Sequence, residues 1–422
     1  MELQKEYALV GATLIDGNGD SPLNNVAVVV KNGVIEEVGN RKSMKLEDSI
    51  QKVDVSGFYL MPGLIDAHVH YSGVSGMPAE SVDYGSPNMW LESNVTRAMR
   101  VTVEARKILD AGFTTVRSCG SSYDIPLRQV IEEGGIIGPR LIASGPVICA
   151  LGDDDIRRDL YDMPYDLSSL TGPGTIPEHI GGGVVECRKV VRMLVNQAVD
   201  HIKIKITGTG SGPGDRQDDI TFTREEVEAF IDEAHMHHKR VAVHCMCTEG
   251  TRMAVELGVN TIEHGDCDEG DIAVYDELCK VMVEKDIILV PTYSVRFIGP
   301  WAEKKIPERI IDAHKLAVKR GVKIALGSDP FADKLTPYGK YNIGEIKLLV
   351  DVLGLTPLEA ITSATKIGAE ACGIGDKVGT IEKGKLADIL VVTGDPTNDI
   401  DILLNSENIK YIIKEGNLVI EH

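Results

Sequence analysis

The middle of the chain alternates short apolar runs with longer amphipathic segments, and this alternation limits the folds open to it. Runs that are apolar on both faces are typical of buried parallel strands, and they occur at residues 64–70, 114–118, 140–144, 202–207, 241–245, 261–265, 287–291 and 323–329. Helix signals fill the gaps, such as the capping box that starts at Thr223 and the helix-ending Gly321. Eight strand–helix units are enough to close a barrel, so the sequence predicts an α/β fold built on a (β/α)8 TIM barrel. A doubly wound open sheet has the same alternation and is the alternative.

Both ends of the chain instead contain short β-branched runs separated by turn signals. Near the start these signals include Asp16-Gly17 and Asn32-Gly33, which are typical of β-hairpins. Neither end alone has enough apolar surface for a stable sheet. The sequence therefore predicts one small β-sandwich domain formed by residues 1–60 together with 375–422, and a barrel domain formed by residues 61–374.

The composition argues against several kinds of partner. Lys and Arg number 44 against 64 Asp and Glu, which gives a formal net charge of −20 that repels nucleic acids and anionic membranes. No apolar stretch approaches the roughly 18 residues of a spanning helix, and the first residues lack the pattern of a signal peptide. The eight cysteines are scattered, as in a protein with reduced thiols. We expect a cytoplasmic homo-oligomer that acts on a small molecule.

Polar residues stand where several predicted strands end. His68 and His70 are one residue apart, so they lie on one face of the first strand and can converge on a metal ion. Later strands end in His244, His264 and Asp329. Each of these last three residues alone would more often be structural, but a barrel gathers the carboxyl ends of its strands around one opening. Their joint occurrence therefore favours a metal site.

Lys203 lies between Ile202 and Ile204 in the fourth predicted strand. A charged ammonium is costly in such a strand unless it finds a partner or changes its chemistry. Carboxylation by carbon dioxide would convert it to an anionic carbamate that bridges two metal ions. Lys205, on the same strand face, is the alternative for this role. We expect two divalent ions, with zinc as the expected metal.

The chain is identified as a member of the amidohydrolase superfamily by motifs that occur in the family's order, at residues 62–70, 200–204, 243–244, 262–265, 326–329 and 379–389. The resemblance runs nearly end to end and is closest to the branch of Xaa-Pro dipeptidase-like and carboxypeptidase-like hydrolases. It implies that one metal is bound by His68, His70 and Asp329, the second by His244 and His264, and that carboxylated Lys203 bridges them. Peptidases of this branch typically have a Tyr where this chain has Met246, so simple dipeptidase activity does not carry over from the resemblance.

The leading functional hypothesis is a metal-dependent hydrolase that cleaves an amide-type C–N bond in a dipeptide, an N-acyl amino acid, a carbamate or a lactam. A metal-bridging hydroxide would attack the carbonyl, and Asp329 would carry the proton to the leaving nitrogen. One alternative is a mononuclear deaminase of the same superfamily, which the strand-four lysine disfavours. The other is a non-catalytic scaffold homologue, which should have lost a ligand, and none is missing.

Substrate contacts are expected from segments at the barrel mouth. We predict that Asp153, Tyr293 and Arg296 bind substrate, and Asp153 or Tyr293 would carry the proton if Asp329 does not. Residues 153–166 form an acidic part of a Gly/Pro-rich insertion. Such insertions are usually lids or substrate loops, although an ordinary solvated charge run would look the same.

Overall fold

A computed structural model describes residues 3–73, 93–150, 179–180, 182–210, 216–298, 306–330 and 336–422. The strands in this part of the chain are β1 (Glu6–Leu14), β2 (Leu23–Lys31), β3 (Val34–Asn40), β4 (Gln51–Asp54), β5 (Phe58–Pro62), β6 (Leu64–Val69), β7 (Phe113–Ser118), β8 (Arg140–Ile142), β9 (Cys149–Ala150), β10 (His179–Ile180), β11 (His201–Lys205), β12 (Arg240–Cys245), β13 (Thr261–His264), β14 (Ile288–Val290), β15 (Ile389–Thr393), β16 (Ile409–Lys414) and β17 (Asn417–Glu421). The α-helices are α1 (Asn94–Asp110), α2 (Asp124–Glu132), α3 (Val184–Asn196), α4 (Arg224–Met236), α5 (Thr248–Leu257), α6 (Ile272–Glu284), α7 (Tyr293–Phe297), α8 (Glu308–Arg320), α9 (Lys340–Asp351), α10 (Pro357–Ser363) and α11 (Lys366–Ala371).

Strands from both ends of the chain lie in one sheet, in the order β17-β16-β15-β5-β1-β2-β3, and β4 pairs with β1. The predicted hairpin at Asn32-Gly33 is confirmed, because β2 and β3 pair antiparallel and both turn residues have positive φ. Near the other end of the sequence, β15 pairs antiparallel with β5, with Val391 opposite Leu60. The two ends of the chain therefore share one sheet, while the predicted domain limits stay a prediction.

The middle of the chain contains two parallel sheets, β6-β7-β8 and β11-β12-β13-β14. Every residue of β6, β7 and β11 is buried, as expected for parallel strands covered on both faces. The first seven predicted strands fall on these seven strands, with ends shifted by one to two residues. The predicted α/β fold with parallel sheets is confirmed.

The eighth predicted strand, residues 323–329, is not a regular strand in the structure. Ile324 forms only an isolated parallel bridge with Leu289, and Asp329 has a φ of 55°. Asp329 ends the segment, because a left-handed residue cannot continue a strand. The segment still bonds to β6, since the backbone nitrogen of Ala67 donates to the carbonyl oxygen of Leu326 at 2.8 Å.

The two parallel sheets are also joined at their other edge. The backbone nitrogen of Ile148, just beyond β8, donates to the oxygen of Lys203 at 3.0 Å, and the nitrogen of Lys205 donates to the oxygen of Ile148 at 2.9 Å. Main-chain hydrogen bonds thus connect the first sheet to the second on both sides. The carboxyl ends of the strands consequently gather at one end of the fold.

The helices between the strands follow the predicted signals closely. Thr223 forms the capping box predicted from sequence, Thr356 forms another, and Gly321 ends α8 with a φ of 89°. Within the described ranges, no helix combines the length and the apolar character required to cross a membrane.

Candidate metal centre

Three side chains meet where β6 ends. The Nε2 atoms of His68 and His70 are 3.3 Å apart, and Asp329 Oδ1 lies 3.2 Å from His70 Nε2 and 3.6 Å from His68 Nε2. The backbone nitrogen of Asp329 donates to the carbonyl oxygen of His68 at 2.8 Å, which fixes the two segments side by side. Ligand atoms this close can share one metal ion.

The remaining predicted histidines extend this group into a row. The ring of His264 lies 5.4 Å from that of His68 between centroids, and the ring of His244 lies 4.4 Å from that of His264. The structure therefore brings the four predicted histidines together, with His70 and His244 at the two ends. We call these four side chains the histidine row.

Hydrogen bonds fix the ring orientation of two histidines in the row, His70 and His264. His70 Nδ1 lies 3.0 Å from the carbonyl oxygen of Gly120, which can only accept, so Nδ1 carries the proton and Nε2 keeps a lone pair. His264 Nδ1 is held at 2.7 Å by the hydroxyl of Thr292. In His70 the other ring nitrogen, Nε2, faces His68 and Asp329.

The protonation of most of these groups suits metal binding. Burial lowers the pKa of His68 to about 4 and the pKa values of His244 and His264 well below their usual range. Burial also acts to lower the pKa of His70, but the hydrogen bond and charge of Asp329 outweigh it, so the pKa of His70 is raised. Burial raises the pKa of Asp329, but the neighbouring His68 and His70 more than offset this and hold it below its ordinary value. Neutral imidazoles beside an ionised carboxylate are the forms that bind metal ions.

Lys203 stands beside this row with its ammonium buried. Within the described ranges, its Nζ atom has no hydrogen-bond partner. Its charge lowers the pKa of His68 and His264, whereas His244 feels Lys205 more strongly than Lys203. Lys203 thus acts electrostatically on all four histidines of the row and on Asp329, and a buried ammonium without a hydrogen bond is unfavourable. Conversion to an anionic carbamate would remove that cost, so these residues fit a pair of divalent ions.

A second group with suitable atoms, His68, Cys119 and Glu263, does not fit a metal ion. Burial raises the pKa of the Cys119 thiol to about 12, so it stays protonated and is a poor ligand. Glu263 is already engaged by Arg117 at 2.7 Å. The metal centre is therefore assigned to the Nε2 side of His68, which faces His70 and Asp329.

Three strand-end residues around the site have left-handed backbones. These are His264, Thr292 and Asp329, with φ of 69°, 52° and 55°. Such conformations cost about 1–3 kcal/mol each for residues other than glycine and concentrate at functional sites. At His264 the bend interrupts the alternation of the strand, so Glu263 and His264 both reach the interior.

Asp66 forms hydrogen bonds that link β6 to residues 323–329, which we call the Asp329 segment. Its Oδ1 accepts hydrogen bonds from the backbone nitrogens of His68 at 3.0 Å and Ser328 at 3.1 Å. Its Oδ2 accepts from the Ser328 hydroxyl and from the amide of Asn342 in α9 at 2.8 Å. A single buried carboxylate thereby links β6, the Asp329 segment and α9.

The predicted substrate residues are placed differently. Arg296 Nη2 lies 2.7 Å from Asp266 Oδ1, and its charge helps lower the pKa of His264. The fully buried Tyr293 instead has its hydroxyl 2.8 Å from His314 Nδ1, behind the histidine row. Asp153 and the rest of residues 153–166 lie outside the described residues. Substrate contact remains a prediction for all three.

Glu263, Arg117 and Asp66 were not predicted from the sequence, although each is a charged residue in an apolar strand. A charged residue in an apolar strand is the signal that identified Lys203, and the same signal would have identified these three residues.

Comparison with known proteins agrees with this geometry. Residues 59–419 match the amidohydrolase family. Ochratoxinase from Aspergillus niger is 28% identical over 453 aligned positions, which cover 98% of this chain and 86% of the relative. A solved Xaa-Pro dipeptidase with methionine bound in its active site is 30% identical, with a TM-score of 0.80, and the match covers 99% of this chain and 100% of that one. A prolidase complexed with N-methylphosphonate-L-proline is 27% identical, with a TM-score of 0.83 and the same coverage.

Fold, site and relatives together define a class of enzyme, the metal-dependent hydrolases that act on C–N bonds. The chain belongs to the amidohydrolase family, as the motifs of its sequence predicted.

Proposed function

We propose that this protein cleaves the amide-type C–N bond of a small molecule with a free carboxylate, a dipeptide or an N-acyl amino acid. The observation that carries this is the histidine row with Asp329 and, beside it, Lys203, whose ammonium has no hydrogen-bond partner among the described residues. In the proposal one divalent ion is held by His68, His70 and Asp329, the second by His244 and His264, with carboxylated Lys203 between them.

The proposal extends to the surrounding structure. The backbone hydrogen bonds at both edges of the two parallel sheets support a closed eight-stranded barrel, formed by residues 61–374. The shared terminal sheet supports a second domain from residues 1–60 and 375–422. Zinc suits the nitrogen-rich ligand set. A cytoplasmic location and a homo-oligomeric state, without nucleic acid or membrane partners, complete the proposal.

The chain's own residues would orient the reactants and move the proton. Divalent ions, when bound, supply an activated hydroxide and polarise the substrate carbonyl. Asp329 directs Oδ1 toward His68 and His70, which leaves Oδ2 for a proton. Because its pKa is lowered, the carboxylate is ionised at neutral pH and ready to accept. It would then deliver that proton to the leaving nitrogen.

Arg296 is the candidate for recognising the substrate carboxylate. Only one of its terminal nitrogens bonds to Asp266 in the described structure, and a guanidinium can bind a carboxylate through two parallel hydrogen bonds. Two observations support this class of substrate, the dipeptidase with bound methionine and the prolidase with a proline phosphonate. Asp153, in the acidic insertion, is a further proposed contact, and Tyr293 would act indirectly, through the packing of His314.

The substrate class can be tested with the zinc-loaded protein and a panel of dipeptides and N-acyl amino acids, each paired with its carboxamide. We expect kcat/KM to be about 10-fold to 100-fold higher for the free carboxylates, the usual contribution of charged hydrogen bonds. Arg296→Met should remove this preference, whereas the exposed control Arg320→Met should keep it. Equal rates for acids and amides would contradict the role of Arg296, and no cleavage of any compound would contradict the function.

The bridging role of Lys203 can be tested with Lys203→Ala, compared with Lys205→Ala as the matched control. Removing the bridge should lower the zinc content per chain and abolish turnover, because the two ions would lose their common ligand. Added short carboxylic acids should restore part of the activity. Mass spectrometry of metal content and a hydrolysis assay provide the measurements. If Lys205→Ala behaved as described and Lys203→Ala did not, Lys205 would be the bridge.

The proton transfer can be tested with Asp329→Asn, which keeps the shape and one coordinating oxygen but removes the basic site. We expect most of the metal to remain while kcat falls by roughly 10²–10⁴, the usual contribution of general acid–base catalysis. Metal content and kcat should be measured on one preparation. Near-normal turnover with full metal content would assign the proton to another group.

A further inference from the structure

A buried chain of hydrogen bonds lies behind His68, on the side away from the metal centre. His68 Nδ1 lies 2.6 Å from Glu263 Oε2, and Glu263 Oε1 accepts from Arg117 Nη2 at 2.7 Å. Thr261 Oγ1 is also 2.5 Å from Glu263 Oε1. All four side chains are almost completely buried, so water does not compete for these bonds.

Arg117 is itself held in place from several sides. Its Nε donates to the carbonyl oxygen of Ala67 at 2.6 Å, and Nη1 donates to Thr261 Oγ1 at 2.9 Å. These bonds hold the guanidinium between β6 and β13. Because a guanidinium has only donors, the Glu263 atom that faces it must be an acceptor. The other oxygen of Glu263 is then left for His68.

We propose that Arg117 and Glu263 are positioning residues that decide which ring nitrogen of His68 carries the proton. An ionised Glu263 can only accept, so His68 Nδ1 must donate to it, and His68 Nε2 keeps its lone pair toward His70 and Asp329. The usefulness of this tautomer rests on the proposed metal centre, but the tautomer itself is a property of the metal-free chain.

The arrangement makes a specific prediction for Glu263→Gln. Arg117 would hold the oxygen of the new amide, so the NH2 group would face His68 and donate to Nδ1. The proton of His68 would then move to Nε2, where it blocks metal binding. In the double variant Arg117→Met with Glu263→Gln, the amide is free to turn and present its oxygen to His68. Adding Arg117→Met should therefore restore zinc affinity that is lost in Glu263→Gln.

The test measures zinc affinity by competition with a chelator, and the His68 tautomer by long-range ¹H–¹⁵N NMR of the metal-free protein. We expect Nδ1-protonated His68 in the wild type and Nε2-protonated His68 in Glu263→Gln. Zinc affinity should fall about 10-fold to 100-fold in Glu263→Gln, the range typical of such partners, and recover by about 10-fold in the double variant. If Arg117 and Glu263 had only a structural role, the losses of zinc affinity caused by the two substitutions would add in the double variant.

A matched control is Asp388→Asn, which neutralises another buried carboxylate paired with an arginine, Arg140, at 2.5 Å in the junction with the terminal sheet. Its zinc affinity should match the wild type. An Nε2-protonated His68 in the metal-free wild type would overturn the inference, even if Glu263→Gln failed to fold. So would a double variant that binds zinc no better than Glu263→Gln. The predicted tautomer in a protein that hydrolyses no amide would uphold the inference and overturn only the proposed function.

Discussion

The burial of charged and polar groups at one end of the parallel sheets is the constraint on which the site depends. In that setting each polar atom must find a partner or lose its charge, because water is excluded. Asp66, Glu263 and Arg117 meet this requirement through dense hydrogen bonding. Lys203, among the described residues, does not. Both ring nitrogens of His201, on the same strand, also lack a hydrogen-bond partner among the described residues. Lys203 differs in that its charge acts on the histidine row and on Asp329.

The same constraint organises the backbone. The left-handed conformations at His264, Thr292 and Asp329 are unfavourable alone. Hydrogen bonds such as those that Ser328, next to Asp329, donates to the Asp66 carboxylate hold one of them in place. The bends allow side chains from strand ends to face inward where regular alternation would turn some of them away. Packing and hydrogen bonding elsewhere in the fold thus offset the strain of the site.

The parallel strands and the histidine row were predictable from sequence, because buried parallel strands are continuously apolar and their carboxyl ends converge. Strict alternation, however, sets Glu263 and His264 on opposite faces, and only the positive φ of His264 shows that both face inward. The irregular eighth segment was missed for the same reason, since its apolar run conceals the bend at Asp329. Arg296 and Tyr293 follow β14 as near neighbours in sequence, yet Arg296 pairs with Asp266 and Tyr293 bonds to His314. Such differences arise from tertiary packing, which spacing does not encode.

The central claim is that this site holds a pair of metal ions joined by a carboxylated lysine. The most direct measurement is the zinc content per chain of protein saturated with zinc and bicarbonate and then freed of unbound metal. We expect close to two ions per chain, because the proposed ligands divide into two sets with Lys203 between them. A content of one ion per chain under these conditions would contradict it.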